Sequence, residues 1–277
     1  VRHEAEHNLL LGLVGGLAAN PAPNPAPYLA LLEDGAAVVA VAVRTTRFLV
    51  LSRIAPHLAP AALAALVADL AAGGGTGTAG DPLAALPGVN GPPALALDFA
   101  ARWRAAGGPP FQRTMATRIY QLDAVTPVPD VPGALRPATA ADAGLVAAWL
   151  GAFQRDIGDA PSADVARDAA RSIAAGGLHL WQPAPSGAPV SMANATGATP
   201  NGIRINMVYT PPESRRRGYA SAAVAALSQA MLDAGRRHCF LYTDLGNPTP
   251  NRIYQTIGYR PVADADSYRF ATPTEPA

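Results

Sequence analysis

Apolar positions in this chain follow two periods, and each marks a kind of element. Residues 4–13 read as a helix, stopped by the Pro/Asn stretch at 20–27. Residues 28–32 and 36–43 are apolar and partly β-branched. Glu33-Asp34-Gly35 lies between them, and Asp-Gly accepts the positive φ of a tight turn, so a hairpin is expected. Residues 48–51 read as a third strand. Pro60 opens a helix to residue 72, with Leu63, Leu66, Val67 and Leu70 at helical spacing. A flexible glycine loop at 73–80, a helix at 94–106 and a strand at 117–122 complete this half.

Pro127, Pro129 and Pro132 crowd residues 123–134, the composition of an extended connector. The expected domains are therefore 1–126 and 134–277, joined by 127–133. Beyond the connector, 135–137 reads as a short strand. Thr139 caps a helix through residue 154 that carries Leu145, Trp149 and Phe153 on one face. A helix at 163–175 and strands at 178–182, 189–195 and 203–210 follow. Residues 219–234 form a helix with Ala220, Val224, Leu227 and Met231 as its buried stripe and Gly235 as its stop. A strand at 238–244, a short helix at 250–257 and strand character from 259 to 270 close the chain. The expected class is a mixed α/β (α+β) fold in two domains.

Composition narrows the function. With 277 residues, 49% of them hydrophobic and 15% charged, the chain has ample material for a core. Lys+Arg 21 against Asp+Glu 20 leaves a net charge of +1, which argues against nucleic-acid binding through a broad basic surface. One cysteine, Cys239, excludes an internal disulfide and cysteine-rich zinc modules. The apolar run at 9–19 is broken by Gly12, Gly15 and Gly16 and is too short to span a bilayer. The expectation is a cytoplasmic protein with neither a nucleic-acid nor a membrane partner.

The most informative segment runs Met207-Val208-Tyr209-Thr210-Pro211-Pro212-Glu213-Ser214-Arg215-Arg216-Arg217-Gly218-Tyr219-Ala220. A strand ends at two prolines, a basic loop follows, and a helix opens at Gly218. A helix start offers unpaired N–H groups and the positive end of the dipole, and three arginines add charge beside it. Gly218 and Ala220 leave the backbone open to an anion of phosphate or pyrophosphate size. A solvated basic turn before an ordinary helix is the alternative.

Arg215-Arg216-Arg217-Gly218-Tyr219-Ala220 resembles the R/Q-x-x-G-x-G/A signature of the GCN5-related N-acetyltransferase (GNAT) superfamily. Asn247-Pro248-Thr249-Pro250-Asn251-Arg252-Ile253-Tyr254, followed by Gly258-Tyr259, is similar to that superfamily's distal motif, with Pro250 in place of a small residue. The likeness covers about 135–270 and extends to the glycine-N-acyltransferase-like (FR47-like) branch. It implies a C-terminal GNAT fold, a mixed and mostly antiparallel sheet flanked by helices, and an N-terminal degenerate GNAT-like α+β domain. It also implies acetyl-CoA as co-substrate, without a metal. Val208, Tyr209 and Thr210 would pair with the pantetheine arm as an added strand. The loop Arg215, Arg216, Arg217, Gly218, Tyr219, Ala220 and Ser221 would hold the pyrophosphate, with Asn247 and Asn251 completing the CoA site.

Acyl transfer to an amine then makes three demands. A donor must steady the thioester oxygen, for which the Val208 N–H is the candidate. A proton must reach the departing thiolate, which suits the Tyr254 O–H; a packing tyrosine is the alternative. A base or a water chain must deprotonate the amine. Residues 203–207 carry no acid, which leaves Asp244, His179, Asp156 and Asp159 as candidates, with Asp244 equally suited to capping a turn.

His3-Glu4-Ala5-Glu6-His7 spells H-E-x-x-H, the spacing of zinc peptidases, with Glu33 as a third-ligand candidate and a solvated helix start as the plainer reading. The expected function is N-acetylation of a primary amine, an amino-acid-like small molecule, by direct attack in a ternary complex. The rivals are a non-catalytic acyl-CoA sensor or assembly module and, remotely, the zinc peptidase. The N-terminal half would wall the acceptor pocket or mediate association, as in a homodimer.

Overall fold

The computed structural model describes residues 2–19, 28–45, 48–73, 86–184 and 187–271. In chain order these form α1 (Arg2–Glu6), α2 (Asn8–Ala19), β1 (Leu29–Asp34), β2 (Ala37–Arg44), β3 (Leu49–Leu51), α3 (Ala59–Ala71), β4 (Gly88–Gly91), α4 (Pro93–Ala105) and β5 (Phe111–Leu122). Then come β6 (Ala134–Pro137), α5 (Ala143–Asp156), α6 (Val165–Ala174), β7 (Leu178–Gln182), β8 (Ser191–Thr196), β9 (Gly202–Tyr209), α7 (Tyr219–Asp233), β10 (His238–Asp244), α8 (Pro248–Ile257) and β11 (Arg260–Phe270). Most of the glycine loop expected at 73–80 lies outside the described residues.

Two compact units emerge. The first comprises Val1–Tyr120, Tyr242–Pro248 and Pro261–Ala277, and the second Gln121–Leu241 and Thr249–Arg260. Compactness thus interleaves segments that the proline-rich stretch divides linearly, because β11 pairs with β4, with Tyr268 opposite Val89.

In the first unit the strands lie in the order β1-β2-β3-β4-β11-β5. The hairpin β1–β2 turns at Gly35 with φ +62°, the left-handed geometry that Asp-Gly favours. One face of the sheet packs Leu49, Leu51 and Val89 against Leu63, Leu66 and Leu70 of α3 and Phe99 and Trp103 of α4. On the other face Val43 and Val50 meet Leu10 of α2. β3 is buried on both faces, as a parallel neighbour of β4 should be.

Three elements differ from expectation. The N-terminal helix breaks between α1 and α2 and continues to Ala19 through three glycines. The expected cap at Thr139 opens a 3-10 turn, Ala140–Asp142, before α5. β4, Gly-Val-Asn-Gly, has strand propensity only at Val89. Pairing with β3 and β11 makes it a strand, and close packing selects its glycines: a Cβ at Gly88 would collide with the Tyr268 carbonyl, and one at Gly91 would sit 3.0 Å from Leu51 Cβ.

The second unit orders its strands β10-β9-β8-β7-β6, with β9–β10 parallel and the other pairs antiparallel. Helices α5 and α6 cover one face through Val146, Trp149, Leu150 and Ala169 against Leu178, Leu180, Met192 and Tyr209. On the other face Ala222 and Ala223 of α7 pack on Trp181. This is the mixed, mostly antiparallel, helix-flanked sheet that the resemblance implies.

Candidate active site

The end of β9 departs from a regular ladder. Asn206 pairs with Asn194 and Tyr209 with Met192, so β9 spends one residue more than β8 between the two rungs. Met207 absorbs the extra residue at φ +50°. This is a β-bulge, which re-aims the strand and takes Met207 and Val208 out of register with β8. On the opposite side the parallel register with β10 ends at Arg204–Phe240. Beyond that rung both strands continue unpaired to each other, so Val208 stands on an open edge. The Ser191 hydroxyl lies 3.1 Å from the Tyr209 carbonyl and 2.9 Å from Thr210 Oγ1, which pins the strand end.

The basic loop is organised by one of its arginines. Arg215 donates from Nε to the Thr210 carbonyl at 2.9 Å and from Nη2 to Asp156 at 2.6 Å. Its guanidinium also lies 5.9 Å from the Tyr209 ring centroid. Arg216 follows at φ +62°, an uncommon conformation for a residue with a side chain. Gly218 at φ +81° then opens α7, without a side-chain cap and without an acid in the first helical turn. Arg216, Arg217 and Gly218 are exposed. The loop thus presents two guanidinium groups and an uncapped helix start, a ready anion site.

Tyr254 lies on α8, its ring 6.1 Å from that of Tyr259 in an edge-on contact. Burial pushes the Tyr254 phenol up to about 12, so it keeps its proton at neutral pH. Its hydroxyl has no hydrogen-bond partner among the described residues. Tyr259 by contrast is buried and bonds Ser228 through its hydroxyl at 2.8 Å. Gly258 between them has φ +108°, and a Cβ there would lie 2.9 Å from the Ala124 carbonyl. That explains why the distal motif needs glycine before the aromatic residue.

The base candidates separate. Asp244 and Asn247 belong to the first unit. There the Asp244 carboxylate accepts the Gly246 N–H at 2.8 Å and the Asp244 carbonyl accepts the Asn247 N–H, a local turn. Asp156 is engaged by Arg215. His179 shares its Nδ1 proton with the Gly177 carbonyl at 3.0 Å, leaving Nε2 as acceptor in the neutral ring. It pairs with Ala193 of β8, so it stands two ladder spacings from β9, roughly 9–10 Å. That distance calls for a water relay. Asp159 donates its backbone N–H to the Gln154 carbonyl at 2.8 Å.

One feature beside the bulge escaped the sequence reading. Asn194 Nδ2 donates to Asn206 Oδ1 at 3.0 Å across β8–β9, next to Met207 Sδ at 3.7 Å. Only the pairing register brings these amides together, so spacing along the chain carries no sign of them. In the H-E-x-x-H segment the described side chains of Glu6 and His7 are engaged by Arg53. His7 accepts the Arg53 N–H at 3.0 Å, Glu6 pairs with Arg53 at 3.3 Å, and the His3 side chain lies outside the described residues. Among the described residues no group of three His, Cys, Asp or Glu is placed to hold a metal. Nor is any described helix long and apolar enough to cross a membrane.

A helix-flanked mixed sheet with a bulged strand leading through a basic turn into an uncapped helix defines the GNAT fold, and solved structures bear this out. A GCN5-related N-acetyltransferase from Sphaerobacter thermophilus matches with TM-score 0.62 at 16% identity, over 97% of this chain and 93% of that one. One from Kribbella flavida matches at 0.58 and 17%, over 99% and 96%. A Drosophila protein matches at 0.67 and 12%, over 99% and 98%. Residues 186–269 match the family model described as FR47-like protein. No curated protein matches the chain.

Proposed function

We propose that this chain is an acyl-CoA-dependent N-acetyltransferase that acetylates a primary amine on a small, amino-acid-like molecule. The observation that carries the reading is the pairing, in one unit, of the open β9 edge at Val208 with the uncapped start of α7 beside Arg216 and Arg217. An extended amide arm adds to a strand edge, and a pyrophosphate suits the helix start. Acetyl-CoA supplies the activated acyl group. Backbone groups of Val208, Tyr209 and Thr210 hold its arm, and those of Arg216 to Ser221, with Asn251, its phosphate end.

The residues then act in turn. The Val208 N–H, freed from the β8 register, donates to the oxygen that gains charge. The Tyr254 phenol, protonated at neutral pH, gives its proton to the sulfur as the bond to it breaks. The amine loses its proton through water, since Asp156 is occupied, Asp244 serves a turn and His179 lies two strands away. Cys239 is buried, and burial pushes its thiol up to about 12, which speaks for direct attack rather than an acyl-cysteine.

The experiment is the melting temperature with and without acetyl-CoA, followed by thiol release with a panel of primary amines. A ligand at a hundred times its Kd adds about 2.7 kcal/mol, a shift of several degrees. A shift with amine-dependent thiol release supports the enzyme. A shift with no release from any amine favours a sensor, and no shift at millimolar acetyl-CoA removes the reading.

A further inference from the structure

The two halves of the chain repeat one order of elements. In the first unit a helix pair, three strands, a helix, a strand, a helix and a strand follow one another as α1-α2-β1-β2-β3-α3-β4-α4-β5. The second half runs α5-α6-β7-β8-β9-α7-β10-α8-β11. The likeness extends to pairing, because β3–β4 is parallel just as β9–β10 is. By this correspondence β3, α3 and α4 stand where the second half carries β9 with Val208, α7 opened by Gly218, and α8 with Tyr254.

A cavity of about 600 Å³ lies at that place in the first unit, within the usual size of small-molecule sites. Its wall includes Leu51 at the end of β3, Pro60 in the first turn of α3, Gly91 at the end of β4, Leu95 in the first turn of α4, and Ala263 of β11. The wall is largely apolar, but its anion reader is gone. Leu58 N–H and Ala59 N–H both donate to the Ala55 carbonyl, and Pro60 has no N–H to offer. No glycine at positive φ precedes α3, whose N-cap Leu58 is right-handed.

The charges around the cavity point the other way. Glu6, Asp98 and Asp264 line it with His7, which accepts the Arg53 N–H through Nε2, and with Arg53 as the one guanidinium, paired with Glu6. The partners of the other two carboxylates, Arg102 for Asp98 and Arg118 for Asp264, do not line the wall. We propose that this cavity is a second small-molecule site, and that it takes an apolar molecule bearing an amine while rejecting anions. A wall that shows carboxylates and no unpaired guanidinium accepts an ammonium in preference to an anion, and its apolar surface buries the rest of the ligand.

The test is calorimetric titration of the whole chain with 2-phenylethylamine and with 3-phenylpropionate, two probes of similar shape and opposite charge. The site predicts one-to-one binding of the amine and at least tenfold weaker binding of the acid. Ala263→Trp, which fills the cavity, abolishes amine binding while the acetyl-CoA melting shift persists. Asp98→Arg, on the half-exposed face of α4, lowers amine affinity at least fivefold and raises that of the acid, so the proposal stays testable if Ala263→Trp does not fold. Gly218→Glu leaves amine binding unchanged, which separates this site from the one at α7. Equal amine affinity in Ala263→Trp, equal affinity for the two probes, or no binding of either overturns the proposal.

Discussion

Arg215 and Asp156 meet at 2.6 Å, tying the basic loop before α7 to the C-terminal end of α5. Both side chains are nearly half exposed, at 45% and 48%, so the pair adds little to global stability. Its effect is local: with the bond from Arg215 Nε to the Thr210 carbonyl, it fixes the path between the β9 edge and Gly218. Arg215→Ala should leave the melting temperature within a degree or two and weaken acetyl-CoA binding about tenfold, on the order of 1.4 kcal/mol. Asp156→Asn should show the same pattern more weakly. Titration calorimetry of both variants reads it, and unaltered affinity in Arg215→Ala would exclude an organising role.

Gly218 holds φ +81°, and a Cβ there would lie 3.0 Å from Val131 Cγ2. Gly218→Ala should cost about 1 kcal/mol of stability through backbone strain alone. Gly218→Glu adds a carboxylate where the pyrophosphate is expected and should abolish the acetyl-CoA melting shift. Equal affinity of Gly218→Glu and the parent would refute the phosphate assignment.

Tyr254→Phe removes one oxygen from a ring held against Tyr259. General-acid roles contribute roughly 10²–10⁴-fold, so kcat should fall by that order while KM for acetyl-CoA changes little. The raised pKa carries a sign. With the phenol at about 12, its proton is retained through the usual tyrosine range near 10, so the parent rate should not drop between pH 9 and pH 10.5 from this group. A rate indifferent to Tyr254→Phe would make it a packing residue.

Cys239 is buried and its Sγ lies 3.7 Å from the Ser228 carbonyl. The native thiol should resist Ellman's reagent at neutral pH and react fully once the chain is unfolded. Fast labelling of the folded protein would reopen an acyl-cysteine route.

Asp142 accepts two bonds from Arg136, at 2.9 and 2.8 Å, and bonds from the Thr139 N–H at 2.7 Å and hydroxyl at 2.9 Å. The Arg136 bonds lead in holding its carboxyl well below the usual carboxylate range. A depressed folded pKa stabilises the fold above the unfolded value near 4, and the gain is lost as pH falls through the folded pKa. Asp142→Asn should cost about 1 kcal/mol at pH 7, with the gap to the parent closing as the pH drops below about 4. Urea melts at pH 7 and pH 3 check both parts.

Much of the site was legible from local chemistry. A strand stopped by Pro211 and Pro212, a glycine before a helix, and the Gly258-Tyr259 pair all act through backbone conformation, which neighbouring residues set. The hairpin at Gly35 and the helix beginning at Tyr219 follow for the same reason. By itself the sequence determined these elements, the class of fold and the basic turn before α7. What only the tertiary structure decided depends on register and long-range packing. The bulge at Met207 exists because β8 and β9 count residues differently, and the Asn194–Asn206 contact exists because they are rungs of one ladder. β4 is a strand because it is paired on both sides, with β3 and β11, which overrides its weak propensity. Arg215 is distinguished from Arg216 and Arg217 by Asp156, 59 residues away in sequence. Pairwise contacts at such separations leave no period in the chain, so they become visible only once it has folded.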